Sequence, residues 1–249
     1  MIRAALAFLL AALAFASGAH TQDVDREDRW RAEVVPGLVV GDAVDIPGPG
    51  GRPFLGLLTE TTGVDRARTT LLILVHGIGV HPDHGVIGRL RMELADKGYS
   101  TLSIQMPVLP ADAPAEHYEP VFGNASMRIA NAAAWAGDKG YRDLVLVSHS
   151  LGSRMANAYF DRTTAPAFRA WVALGLGAPY SAQFTKKPPV PVLDVYGEHD
   201  LDPVLRNAVS RGRTAQSSRG RQQKVAGADH FYAGREATLV DLISAFARR

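Results

Sequence analysis

The sequence predicts an α/β fold, a mostly parallel sheet with helices on both faces, and three observations lead there. Apolar runs of strand length recur along the chain: Leu71-Leu72-Ile73-Leu74-Val75, Leu144-Val145-Leu146-Val147, Ala170 to Leu174 and Val190 to Tyr196. Runs apolar on both sides of the backbone mark strands buried on both faces, as in a parallel sheet. Between them lie segments with helical spacing, such as Ile87, Leu90 and Leu94, or Leu239, Leu242, Ile243 and Phe246. Strands alternating with helices require crossovers that cover both sides of the sheet. A chain of 249 residues holds one such core without division, and no internal repeat interrupts it.

Taken in order, the chain opens with Arg3 and then an apolar stretch from Ala4 to Ala16, too short to span a bilayer. Ser17-Gly18-Ala19 follows, with small residues at the −3 and −1 positions of a cleavage site. Residues 1–19 therefore read as an export signal, and the expected location of the mature chain is periplasmic or secreted, with no membrane span left after cleavage. The chain has no Cys, which removes disulfides, thiol nucleophiles and cysteine metal sites together. The 27 Lys and Arg against 25 Asp and Glu leave a formal charge of +2, a balance that does not suit a nucleic-acid binder.

Residues 20–36 are polar and charged, and read as a mobile or loosely docked leader to a single domain over residues 37–249. Leu38 to Val44 and Phe54 to Thr61 read as an edge hairpin, parted by the Pro/Gly cluster from Pro47 to Pro53. After the strand at Leu71–Val75 comes a helix from about Gly85 to Lys97, with Gly98 as its stop. Tyr99 to Gln105 reads as a strand, Pro107 to Pro120 as an arch over one end of the sheet, and Asn124 to Trp135 as an Ala-rich helix. Met155, Ala156, Tyr159 and Phe160 share one face of the helix after the Leu144–Val147 strand. The stretch between Leu174 and Val190 has room for a loop but not for a large cap. Arg211 to Arg221 is basic and weakly patterned, and is expected to be a solvated surface loop, with Gln222 to Val225 a last short strand.

The chemistry gathers at strand ends, where α/β sheets place their sites. Ser148-His149-Ser150-Leu151-Gly152 turns from a strand into a helix, which lifts Ser150 above the sheet edge and aims a helix N-terminus at it. A serine hydroxyl is a weak nucleophile, so it needs a base, and the base needs an orienting acid. His230 and Asp200 follow in the order Ser, acid, His. Asp194, Glu198 and Asp202 are rivals for the acid. The backbone N–H groups of Leu151 and Ile78 are candidates for binding an oxyanion. His76 and His149 read as structural or pocket residues. His81-Pro82-Asp83-His84 matches no standard zinc spacing, so neither metal nor cofactor is expected.

Over nearly all of its mature length the sequence resembles the α/β-hydrolase superfamily. Leu74-Val75-His76-Gly77-Ile78-Gly79-Val80-His81-Pro82-Asp83 and Thr101 to Pro107 are similar to a bacterial α/β-hydrolase-like family of unknown function. The resemblance implies an α/β-hydrolase fold with little or no cap domain. It implies Ser150 as nucleophile, His230 as base, an acid just after the strand ending at Tyr196, and Ile78 with Leu151 as the oxyanion hole. The usual G-x-S-x-G departs here, with Ser148 in place of the first glycine. The expected activity is that of an exported serine hydrolase acting on a small or lipid-like carboxylic ester. The alternative is a catalytically inactive protein of this fold that binds a ligand or associates with the cell envelope through its basic segment.

Overall fold

The computed structural model describes residues 22–62 and 69–248. The expected export signal lies outside the described residues. The first element, α1 (Val24–Val34), corrects the expectation of a loosely docked leader. Asp23 caps it by accepting the Arg26 N–H at 2.9 Å, and the Glu27 side chain is buried. Arg26 bonds inward to two neutral carbonyls and Glu27 to another charge, so hydropathy alone makes the segment look detached.

Eight strands form one sheet in the order β1-β2-β4-β3-β5-β6-β7-β8. They are β1 (Asp42–Ile46), β2 (Phe54–Thr59), β3 (Thr70–Val75), β4 (Ser100–Ile104), β5 (Asp143–His149), β6 (Ala170–Leu174), β7 (Val192–His199) and β8 (Arg221–Asp229). β1 and β2 make the expected antiparallel hairpin, and β2 is also antiparallel to β4; every later pairing is parallel. β1 begins at Asp42 rather than Leu38 because Gly41 before it, at φ +80°, lies outside the extended region.

Among the described residues six more α-helices follow: α2 (Gly85–Asp96), α3 (Phe122–Asp138), α4 (Leu151–Arg162), the short α5 (Ala182–Lys186), α6 (Asp202–Ser217) and α7 (Glu236–Ala247). The alternation of side chains along each central strand divides the interior into two cores. Leu71, Ile73 and Val75 of β3 pack with α3 and α4 on one face, while Leu72 and Leu74 pack with α2 and α7 on the other. Each of these fully buried aliphatic side chains contributes roughly 1.5–3 kcal/mol relative to exposure. Only α5 and its flanking loops lie between β6 and β7, so no cap domain stands there. Among the described residues no helix is long and apolar enough to cross a membrane.

The basic segment is the second correction. Arg211 is not on a surface loop but inside α6, wholly buried, with Nε donating to Asp194 Oδ1 at 2.9 Å and Nη1 to the Val204 carbonyl. Val204, Ala208, Arg211 and Ala215 form the buried face of the helix. An arginine at a core position breaks the apolar spacing by which a helix is read from sequence. Asp194 supplies the reason that arginine is tolerated there, together with Tyr180 Oη and Gln222 Nε2, which also donate to the carboxylate.

Candidate active site

Four of the parallel strands end on the same edge, and their carboxyl ends carry the candidate residues. Ser150 joins β5 to α4 at φ 56° and ψ −122°, a conformation a non-glycine residue adopts only where its surroundings impose it. The surroundings here are tight. The Ser150 N–H donates to the Leu174 carbonyl at 2.9 Å. A Cβ on Gly152 would sit 2.3 Å from the His76 carbonyl oxygen, so α4 can start this close to the end of β3 only with glycine at that position.

The departure at Ser148 also has a physical account. Its buried hydroxyl accepts the Trp171 indole N–H at 2.8 Å and lies 3.0 Å from Ser153 Oγ and 3.3 Å from the Val172 carbonyl. The hydroxyl occupies the space a glycine would leave and satisfies an indole N–H in the core, so the elbow is retained.

His230 follows β8 and bridges the other two residues. Its Nε2 lies 2.8 Å from Ser150 Oγ and its Nδ1 lies 2.6 Å from Asp200 Oδ1. With Nδ1–H donating to Asp200, Nε2 is left to accept the serine proton. Asp200 follows β7 and takes two backbone donors as well, Leu201 N–H on Oδ1 at 2.8 Å and Gly197 N–H on Oδ2 at 2.9 Å. Burial opposes ionisation of this carboxyl, but the bond from His230 and the two backbone bonds outweigh it and hold the group below its ordinary value. Of its rivals, Asp194 is committed to Arg211, Glu198 accepts from Lys224 and the Gly227 N–H, and Asp202 opens α6.

The geometry at Ile78 depends on His76. The His76 Nε2 accepts the Met106 N–H at 2.9 Å, with Gln105 Nε2 at 3.1 Å, so the ring carries its proton on Nδ1 and donates it to the Gly77 carbonyl at 2.9 Å. That carbonyl belongs to the same planar peptide as the Ile78 N–H, and fixing one end of the plane fixes the other. Burial lowers the His76 pKa to about 3, which keeps the ring neutral. Leu151 is the first residue of α4, so its N–H is one of those without an intrahelical partner. His149, pushed down to about 4 mainly by burial, donates from Nε2 to the His230 carbonyl at 2.9 Å and holds the loop that carries the base.

Two hollows meet at Ser150. The larger, of about 480 Å³, is bordered by His230, Gly175, Leu201 and Arg154, with Ala115 and Glu119 of the arch as one wall. The smaller, of about 280 Å³, is bordered by Val80, Val86, Ile87, His149 and Phe231. Ile78 borders both.

Solved structures share this architecture at low sequence identity. An α/β serine hydrolase without a lid from Xanthomonas campestris aligns with a TM-score of 0.64 over 85% of this chain and 95% of its own, at 14% identity. The chain has the α/β-hydrolase fold. A dienelactone hydrolase from Anabaena variabilis aligns at TM-score 0.65 and 20% identity, over 82% of this chain and 94% of that one. Est1E from Butyrivibrio proteoclasticus gives 0.63 and 16%, over 82% and 96%. No protein-family model and no curated protein matches the sequence.

Within this α/β-hydrolase fold the structure brings Ser150, His230 and Asp200 together and sets Ile78 and Leu151 beside them. It also brings in a residue not read from sequence. Gly175, just after β6 at φ +57°, lies against the base: a Cβ there would be 2.9 Å from His230 Cε1. The sequence signal was available, since Gly175 directly follows a buried strand, but only the fold says that His230 lies opposite.

Proposed function

We propose that this protein is a serine hydrolase acting on carboxylic esters through an acyl-enzyme. The reading rests on one observation, the unbroken hydrogen-bonded line from Ser150 through His230 to Asp200 at a strained strand-to-helix elbow. Ser150 Oγ attacks the ester carbonyl carbon as His230 Nε2 takes its proton, and Asp200 stabilises the imidazolium. The carbonyl oxygen becomes an oxyanion, held by the Ile78 and Leu151 N–H groups, a donor of this kind being worth about 3–4 kcal/mol. The tetrahedral centre collapses, the C–O bond to the alcohol breaks, and His230 returns the proton to the departing oxygen. Water then attacks the acyl-serine, His230 takes its proton and passes it to Ser150, and the carboxylic acid leaves.

Because the departing oxygen must lie within reach of His230, the alcohol portion belongs in the larger hollow, which His230 borders. The acyl portion then lies in the smaller hollow, walled by Val80, Val86 and Ile87. Residues 1–19 are proposed to direct export, on the strength of their apolar run and small-residue cleavage site.

A fluorophosphonate probe tests the central step. Native protein should be labelled, and Ser150→Ala and His230→Ala should not. A folded native protein that resists the probe and hydrolyses no short-chain ester would refute the reading, and the non-enzymatic binding protein would replace it.

A further inference from the structure

Helix α1 sends one polar side chain, Arg26, to the loop that carries Ile78. Arg26 reaches two carbonyls at once, with Nη2 donating to Gly79 O and Nη1 to Leu109 O, each at 2.8 Å. Its guanidinium lies 4.5 Å from the centre of the Trp30 ring. Trp30 meets His81 edge-on at 5.8 Å, and His81 meets His84 at 5.4 Å. His84 in turn borders the smaller hollow.

A second route begins one residue along. Glu27 accepts from Arg128 Nη2 at 2.8 Å, and both side chains are buried. Arg128 Nη1 donates to the Gln105 carbonyl at 2.8 Å, and the next backbone N–H, that of Met106, is the one that fixes the His76 ring. Glu27 also accepts the Val108 N–H, and Asp23 N–H donates to Val108 O at 2.7 Å.

We propose that α1 is a positioning element of the oxyanion loop, with Arg26 bracing the loop on the Gly79 side of Ile78 while His76 orients the peptide that bears the Ile78 N–H. The inference rests on the serine-hydrolase reading. Ile78 stands between Gly77 and Gly79, the latter at φ +63°, and a loop with glycine on both sides of its working residue has little stiffness of its own. Its shape must be held from outside. The His76 Nδ1–H holds the Gly77 carbonyl on one side of Ile78, and Arg26 holds the Gly79 carbonyl on the other. An arginine suits this task because its planar fork presents separate N–H groups to two acceptors, which an ammonium on a single stem cannot match. Both acceptors are neutral carbonyls far apart in sequence, so the contact joins the oxyanion loop to the arch.

The test compares Arg26→Ala, Arg26→Lys and, on the exposed side of the same helix, Arg29→Ala, each as the full chain. Turnover of a p-nitrophenyl ester is measured with fluorophosphonate labelling and thermal melting. Arg26→Ala is expected to lose roughly 10- to 100-fold in kcat, since a displaced oxyanion donor weakens the transition state more than the bound ester. KM should stay within about threefold, because ground-state binding lies in the hollows. Arg26→Lys should recover part of the loss, methylguanidinium should restore part of it in Arg26→Ala, and Arg29→Ala should match the native protein.

A folded Arg26→Ala protein with native kcat overturns the inference. So does a loss that follows the fraction of unfolded protein and resists methylguanidinium, or one carried by KM alone. An inert, unlabelled native protein overturns the hydrolase reading and this inference with it, whereas an active native protein beside an unimpaired Arg26→Ala overturns only the latter.

Discussion

Replacing Asp200 by Asn tests the site most sharply, because shape is kept while the negative charge and one acceptor oxygen are lost. Three donors converge on the carboxylate: His230 Nδ1–H at 2.6 Å, Leu201 N–H at 2.8 Å and Gly197 N–H at 2.9 Å. An amide offers one oxygen, so one orientation satisfies His230 and Leu201 while setting the NH2 against Gly197. The other satisfies Gly197 and sets the NH2 against His230 and Leu201. The Gly197 bond is buried and the Leu201 bond only partly so, which favours the second orientation, where the stranded N–H can still reach water. His230 must then accept at Nδ1 and carry its proton on Nε2, where it can no longer take one from Ser150.

Turnover of p-nitrophenyl acetate should therefore fall roughly a thousand- to ten-thousand-fold, the loss typical of a wrong tautomer in such a triad. Stability should fall by about 1–3 kcal/mol for the unsatisfied donor, read from denaturant melts. A folded Asp200→Asn protein within tenfold of native turnover would refute the tautomer argument.

Other consequences can be checked with the same two assays. Gly175→Ala places a Cβ 2.9 Å from His230 Cε1 at a φ of +57°, so turnover should fall at least about tenfold with a smaller change in melting. Ser148→Ala strands the buried Trp171 indole N–H and should lower stability by about 1–3 kcal/mol while turnover stays near native; an unchanged melt would contradict the assigned bond. His76 and His149 have pKa values near 3 and 4 in the folded chain, well below the ordinary histidine value of 6.5. Below pH 6.5 the unfolded chain binds protons that the folded one excludes, so stability is full above that value and declines as pH falls toward 4. Each histidine contributes a slope on the order of 1 kcal/mol per pH unit in that window, measurable as shifting urea midpoints, and His149→Gln should make the decline shallower.

Much of the fold was legible because burial on both faces writes itself into a strand as an unbroken apolar run. Leu71–Val75 and Leu144–Val147 were recognisable for that reason, and Ala170 to Leu174 matches β6 end to end. The elements misread were those whose buried positions are charged. Arg211 sits at a core position of α6 beside Asp194, and Glu27 lies buried in α1 beside Arg128. A buried charge is acceptable only with a partner, and both partners are distant in sequence, so no local pattern announces them.

The site divides along the same line. The sequence by itself determined the residue types and their order, Ser150 at a strand-to-helix turn, then Asp200, then His230, because a strand end and a small-residue turn are local features. It favoured Asp200 as the acid but kept Asp194, Glu198 and Asp202 as rivals, since all four lie within nine residues of one another on or after one strand. The tertiary structure alone decided that Asp200 meets His230, that His76 orients the peptide bearing the Ile78 N–H, and that α1 packs against that loop. Directed contacts of about 3 Å between segments tens of residues apart arise only when the sheet has aligned its strand ends, and that alignment is a property of the whole chain.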